Sequence, residues 1–241
     1  MTKLTTLYQH GTLALLVPGL LAGTLTMGDL LKHGDTGIGT GEGLDGELII
    51  LDGTPYQVDS DGNVNVVPDS FNMPFANSHF ANYSPLAELE NLSQTDLEEQ
   101  LISLTQASNT FLSIKITGNF SAVKTRAVKK STPPFQTLAQ TAKHQSIFTR
   151  DQVEGTLISY YSPALFDGAA VAGFHNHFLS ADKTFGGHLL DFHLDKGHVA
   201  YQLFDTLEQH LPVDNRDYMG HDFSLDNIQD DIHEAEGLKS S

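Results

Sequence analysis

Alternating apolar and polar positions divide this chain into short strands joined by tight turns, with few stretches of helical period. Glu47-Leu-Ile-Ile-Leu51 is strongly β, Asp52-Gly53 supplies a two-residue hairpin turn, and Tyr56 to Val58 continues beyond it. Leu44 to Val67 therefore predicts strand, turn, strand, turn, strand. Leu7-Tyr8-Gln9 reads as a first strand, and Gly155 to Tyr161 opens another strand-rich region. Phe111 to Thr117 and Phe120 to Val128 read as two strands joined by Gly118-Asn119, a second hairpin turn.

Helical signals are sparser. Residues 10–32 read as a helical stretch ending near Gly34. Thr95-x-x-Glu98 is a capping box, and Leu97, Leu101 and Leu104 fall on one face, which predicts a helix from Thr95 to Leu104. Pro133-Pro134 closes the preceding unit, and a short helix follows around 136–143. Gly37 to Gly43 reads as a loop, because Glu42 stands where the third glycine of a dinucleotide fingerprint belongs. Asp59 to Asn63 imitates the start of a calcium loop, but Ser70 occupies the place of the closing glutamate, so turn chemistry explains it better. The expected class is mixed α+β or α/β, dominated by hairpins, with a division near residue 145 into segments 1–145 and 146–241.

Composition narrows the chemistry. The chain has 241 residues, 39% of them apolar and 18% charged, as a folded globular protein should. It has 30 acidic residues against 13 basic ones, a formal charge of −17, which argues against nucleic acid and anionic membranes as partners. There is no cysteine, so any metal must sit on His, Asp or Glu, and a reducing compartment such as the cytoplasm is expected. Thr12 to Thr26 is apolar, but Lys3 alone precedes it and Pro18-Gly19 interrupts it. It is read as a mature segment, with a cleaved signal the lesser alternative. An anionic substrate would need a metal or one of three arginines, Arg126, Arg150 and Arg216.

The most informative segment is Gly173-Phe-His175-Asn-His177-Phe178, followed by Gly186-Gly187-His188. Residues two apart on a strand share a face, so His175 and His177 point together. If the next strand returns antiparallel, His188 meets them at cross-strand distance, and three neutral imidazoles would suit zinc or a related divalent metal. By the same parity His188, Leu190 and Phe192 share a face, and Asp191 and His193 take the other, which sets His193 aside. His198, His210, His221 and His233 are read as surface histidines. With 12 histidines in the chain, hydrogen-bonded core histidines remain the bland alternative. Glu47 is either the exposed end of its strand or a buried carboxylate tuned for proton transfer. Arg126 shares a face with Lys124, as a solvated strand would. Glu234 and Glu236 belong to an acidic tail, which is ordinarily just solvated.

Taken in order, these pieces resemble the acetolactate decarboxylase family. The resemblance rests on Leu7-Tyr8-Gln9, Gly34-Asp-x-Gly-Ile-Gly-Thr40, Leu44-Asp-Gly-Glu-Leu-Ile49, Val123-Lys-Thr-Arg126, Gly155-Thr156, the two histidine motifs and Asp231 through Gly237. It implies that His175, His177 and His188 bind zinc, and that Glu47, Arg126 and a C-terminal glutamate line the site. That glutamate is placed at Glu236, with Glu234 as the fallback. Ala127-Val128, Lys129-Lys130 and the double proline depart from the family's usual neighbourhood. The implied fold is a two-part structure whose N-terminal mixed sheet contributes to a homodimer and whose C-terminal hairpin carries the metal. The implied reaction takes 2-acetolactate to (R)-acetoin and carbon dioxide, zinc acting as the Lewis acid. The rivals are another three-histidine metal enzyme, such as a hydrolase or dioxygenase, and a non-catalytic zinc-binding or metabolite-sensing protein.

Overall fold

The computed structural model describes residues 5–236, with side chains through Ile232. The first part of the chain gives β1 (Thr6–His10), α1 (Leu13–Leu16), β2 (Leu25–Thr26), α2 (Met27–Leu30), β3 (Thr36–Thr40), β4 (Glu47–Leu51), β5 (Thr54–Val58) and β6 (Val64–Val66). There follow β7 (Asn72–Met73), β8 (Phe75–His79), β9 (Ser84–Ser93), α3 (Gln94–Thr105), β10 (Leu112–Val128) and α4 (Leu138–Ala142). The last part gives β11 (Gln145–Ser162), β12 (Gly173–Ser180), β13 (Gly186–Leu203), β14 (Thr206–His210), α5 (Arg216–Gly220) and α6 (Ile228–Glu236). Among the described residues no helix is long and apolar enough to cross a membrane.

Two large sheets organise these elements, as a mixed α+β protein. The first has seven strands in the order β14-β1-β8-β3-β4-β5-β6, and only β1 with β14 runs parallel. The second has the order β10-β11-β12-β13-β9, and β10 also pairs with β13. Four of its strands therefore close on themselves. Strands on both sides of residue 145, β10 and β11, pair along nearly their whole lengths. One apolar cluster, including Leu112, Phe120, Phe178 and Leu194, fills the second sheet beneath Leu97 and Leu101 of α3. Another, including Ile38, Ile49, Ile158 and Leu179, packs the two sheets against each other. Burying such side chains contributes about 1.5–3 kcal/mol each.

Several local expectations hold and others fail for identifiable reasons. The Asp52-Gly53 hairpin forms, with Leu51 opposite Thr54 and both turn residues at positive φ. The helix expected over 10–32 is instead the end of β1, the one-turn helix α1, an irregular stretch, and β2 running into the one-turn helix α2. Gly11 and Gly19 take φ of +69° and +90°, which breaks the run. The glycine-rich passage is not all loop. Gly37 and Gly39 lie inside β3, where an added Cβ would fall 2.3 Å from Asn77 O and 2.6 Å from Phe75 O. Likewise no turn forms at Gly118-Asn119. β10 runs straight through as one strand, and Gly118 lets the Lys196 carbonyl approach to 2.2 Å from where a Cβ would stand. The α3 N-cap is Ser93, whose hydroxyl accepts from Asp96 N–H, so Thr95-x-x-Glu98 is not the cap.

Candidate active site

The site sits at the seam of the two sheets, and each side chain reaches it by strand geometry. β12 presents His175 and His177 on one face, and antiparallel pairing sets His177 directly opposite His188 of β13. Arg126, near the end of β10, is directly opposite His188 on that strand's other flank. Glu47 comes from the other sheet, at the start of β4. Glu47, Arg126, His177 and His188 are all buried, at 7%, 6%, 1% and 5% exposure. Neither bland expectation, a solvated strand end for Glu47 or a solvated face for Arg126, describes them.

Three ring nitrogens converge. His175 Nε2 lies 3.2 Å from His188 Nδ1 and 3.3 Å from His177 Nε2, and the three nitrogens all fall within 4.8 Å of one another. A tetrahedral ion with metal–nitrogen bonds near 2.0–2.1 Å separates its ligand nitrogens by about 3.4 Å. The spacing therefore fits one divalent ion. His177 Nδ1 is 2.9 Å from Leu48 O. A carbonyl only accepts, so Nδ1 carries the proton and the Nε2 lone pair faces the cluster. Glu47 Oε2 stands 3.5 Å from that Nε2. A carboxylate and a lone pair so close attract only through an intervening positive charge, which a metal ion or a proton can supply.

Electrostatics keep two of the three imidazoles, His175 and His188, neutral. Burial first, and then the nearby Arg126 guanidinium, bring the His175 pKa down to about 3. His188 is held well below its ordinary value by burial, then by Arg126 and the other two histidines. Arg126 itself donates from Nη1 to Gln145 Oε1 at 3.2 Å.

These groups line one pole of an open cleft of about 490 Å³, counting the space at its mouth. The other pole is apolar, with Leu13 and Leu16 of α1, Leu138 and Ala142 of α4, and Phe75. Sequence reasoning missed this wall, because Leu13 and Leu16 read only as part of an apolar helical stretch and residues 136–143 only as a short helix, both far along the chain from the histidines. It missed Thr40 too, which lines the cleft and donates its hydroxyl to Gly46 O at 2.8 Å. Ile232 of α6 is fully buried in the cluster that holds Leu13, Leu16 and Leu138, so the C-terminal helix docks at the apolar rim. The Glu234 and Glu236 carboxylates lie outside the described residues.

His193 stays out of the site, but not for the expected reason. β13 carries a bulge at Leu190, where Lys124 pairs with Asp191 and Thr125 pairs with Leu189. The extra residue resets the alternation, so Leu189 rather than Leu190 joins Phe192 in the core. His193 is excluded by its distance along the strand, and its Nε2 contacts Asn91 Oδ1 on the neighbouring β9 at 3.2 Å.

Residues 7–225 match the family model described as alpha-acetolactate decarboxylase. Over 238 residues the chain is 39% identical to the alpha-acetolactate decarboxylase of Lactococcus lactis subsp. lactis, covering 98% of this chain and all of that one. The fold superposes on the alpha-acetolactate decarboxylase of Bacillus subtilis strain 168 with a TM-score of 0.90 at 31% identity, covering 96% and 99% of the two chains. A Staphylococcus aureus protein described as similar to alpha-acetolactate decarboxylase gives 0.91 at 35% identity, covering 97% and 100%. This chain belongs to the alpha-acetolactate decarboxylase family.

Proposed function

We propose that the chain decarboxylates (S)-2-acetolactate to (R)-acetoin, with zinc held by His175, His177 and His188. The observation that carries this reading is the convergence of three imidazole nitrogens beside Arg126 and Glu47 at the polar end of a cleft whose other end is apolar. The substrate has matching poles: a carboxylate, a hydroxyl and a ketone on one side, two methyl groups on the other.

In the reaction the bond between the carboxylate carbon and C2 breaks, and its electron pair moves toward the C3 ketone as an enediolate. A proton then goes to C2, giving acetoin. Bound zinc supplies Lewis-acid stabilisation of the negative charge that develops on oxygen. Arg126 holds the substrate's oxygens with a fixed, permanently charged fork and offsets the acidity of the whole chain at this one point. Glu47 holds a proton beside the cluster and delivers it to C2, and the family resemblance implies that a C-terminal glutamate, Glu236, shares in the chemistry. One-sided delivery makes a single enantiomer. The apolar wall of α1 and α4 excludes water from the methyl side of the substrate.

The chain acts in the cytoplasm as a homodimer, on the strength of the family resemblance. Light scattering of purified protein tests the dimer, for which a monomer mass would be the contrary result. Incubation with racemic 2-acetolactate tests the reaction: (R)-acetoin should accumulate with stoichiometric carbon dioxide. No acetoin, or turnover of esters instead, would favour the hydrolase reading.

A further inference from the structure

On the side of β12 facing away from the cleft, a polar residue interrupts an aromatic row. Phe174 and Phe178 pack in the apolar cluster beneath α3, yet between them stands Asn176, only 5% exposed. A buried amide is costly unless it is hydrogen-bonded. Asn176 Nδ2 donates to Glu98 Oε1 at 2.9 Å, and Gln94 Nε2 donates to the same oxygen at 2.9 Å. Burial pushes the Glu98 carboxyl up, and those two hydrogen bonds oppose the shift. Leu97, the residue before Glu98 on α3, is buried in the same cluster. A leucine at 176 would fill this layer with no polar group to satisfy, so packing alone gives no reason for the pair.

The ladder around β12 supplies one. β11 pairs with it along its whole length, with Tyr160 opposite His175. Among the described residues only three pairs tie it to β13, His177 with His188, Phe178 with Gly187 and Leu179 with Gly186, so its His175 end is held on one side only. That end begins at Gly173, with φ of +89°. A slip of one residue would turn Asn176 into the cleft and both histidines into the core. We propose that the Glu98–Asn176 hydrogen bond is a register lock. It ties the singly paired end of β12 to α3 and, together with the β11 ladder, aims His175 and His177 at the metal, which makes Glu98 and Asn176 positioning residues. The inference rests on reading the histidine cluster as a metal site.

The test is zinc affinity of the purified apoprotein, by competition with a chromophoric chelator, for wild type, Glu98→Leu and Glu98→Gln. Glu98→Gln keeps an acceptor oxygen for Asn176 and should bind zinc within about threefold of wild type. Glu98→Leu removes the acceptor and should weaken binding by about 10–100-fold, the usual effect of losing an outer-shell partner. Apoprotein melting temperature is measured alongside, because a merely structural role would lower it equally in both variants without separating their affinities. If Glu98→Leu does not fold, Asn176→Ser takes its place under the same criteria. Equal zinc affinity in wild type and the acceptor-less variant, or equal losses in both Glu98 variants, overturns the lock. Absence of zinc binding in wild type overturns the metal reading beneath it.

Discussion

His177 and Leu48 join the two sheets at the reactive end of the cleft: the imidazole Nδ1–H donates to the Leu48 carbonyl at 2.9 Å. Leu48 follows Glu47 on β4, so one strand fixes the tautomer of a histidine and delivers a carboxylate to within 3.5 Å of its other nitrogen. Replacing His177 or His188 with alanine should reduce bound metal from one ion per chain to a small fraction. His193→Ala should leave it at one, since His193 bonds away from the site. Elemental analysis after gel filtration reads this directly, and full metal content in His177→Ala would remove it from the ligand set.

Glu47→Gln keeps the shape of the side chain and removes its acid–base function. Metal content should persist while kcat drops by about 10²–10⁴, the usual contribution of a positioned acid or base. Steady-state kinetics with paired metal analysis makes the check. Unchanged kcat would leave Glu47 a neighbour of the cluster and nothing more.

Arg126 is buried opposite His188, and a lysine there would keep the charge but lose the planar fork. Arg126→Ala should lower kcat/KM by about 10²–10³, in line with loss of one preorganised electrostatic partner. Arg126→Lys should recover only part of that loss. A lysine variant at wild-type kcat/KM would reduce the arginine's role to simple charge.

Acid stability follows from histidines outside the site. Burial is the main cause that lowers the pKa of His10 to about 4 and of His79 to about 3, against 6.5 in an unfolded chain. For His10 the neighbouring His210 adds to the effect, its Nδ1 lying 2.8 Å from that of His10, whose Nε2 meets Thr24 Oγ1 at 2.8 Å. Between pH 6.5 and those lower values the unfolded state binds the extra protons, so stability rises with pH and is lost as pH falls. Each residue should contribute a slope of roughly 1 kcal/mol per pH unit in that window. Urea unfolding at pH 7.0, 5.5 and 4.5 should therefore show a steeper loss in wild type than in His79→Phe. Parallel curves would contradict the assignment.

Much of the site was legible because strand parity is local information. His175 and His177 needed only the two-residue period, and His188 needed only a hairpin of the kind that Ser180 to Gly187 allows. Parity misled at Leu190, because a bulge depends on the register of the partner strand, which one strand's sequence does not carry. The fates of Glu47 and Arg126 were similarly hidden. Alternation assigns a face but does not say whether a second sheet covers it, and here β4 lies across β12. Gly118-Asn119 failed as a turn for a tertiary reason, since β11 and β13 flank β10 on both sides and hold it extended through the glycine. Resemblance to a known family, rather than spacing, supplied the substrate.

The most direct measurement is acetoin formation from 2-acetolactate by one preparation in three states: as purified, after chelator treatment and dialysis, and after adding one equivalent of zinc. Acetoin should form, then cease, then form again in step with zinc bound per chain. Undiminished acetoin formation in protein shown by elemental analysis to be free of metal would contradict it.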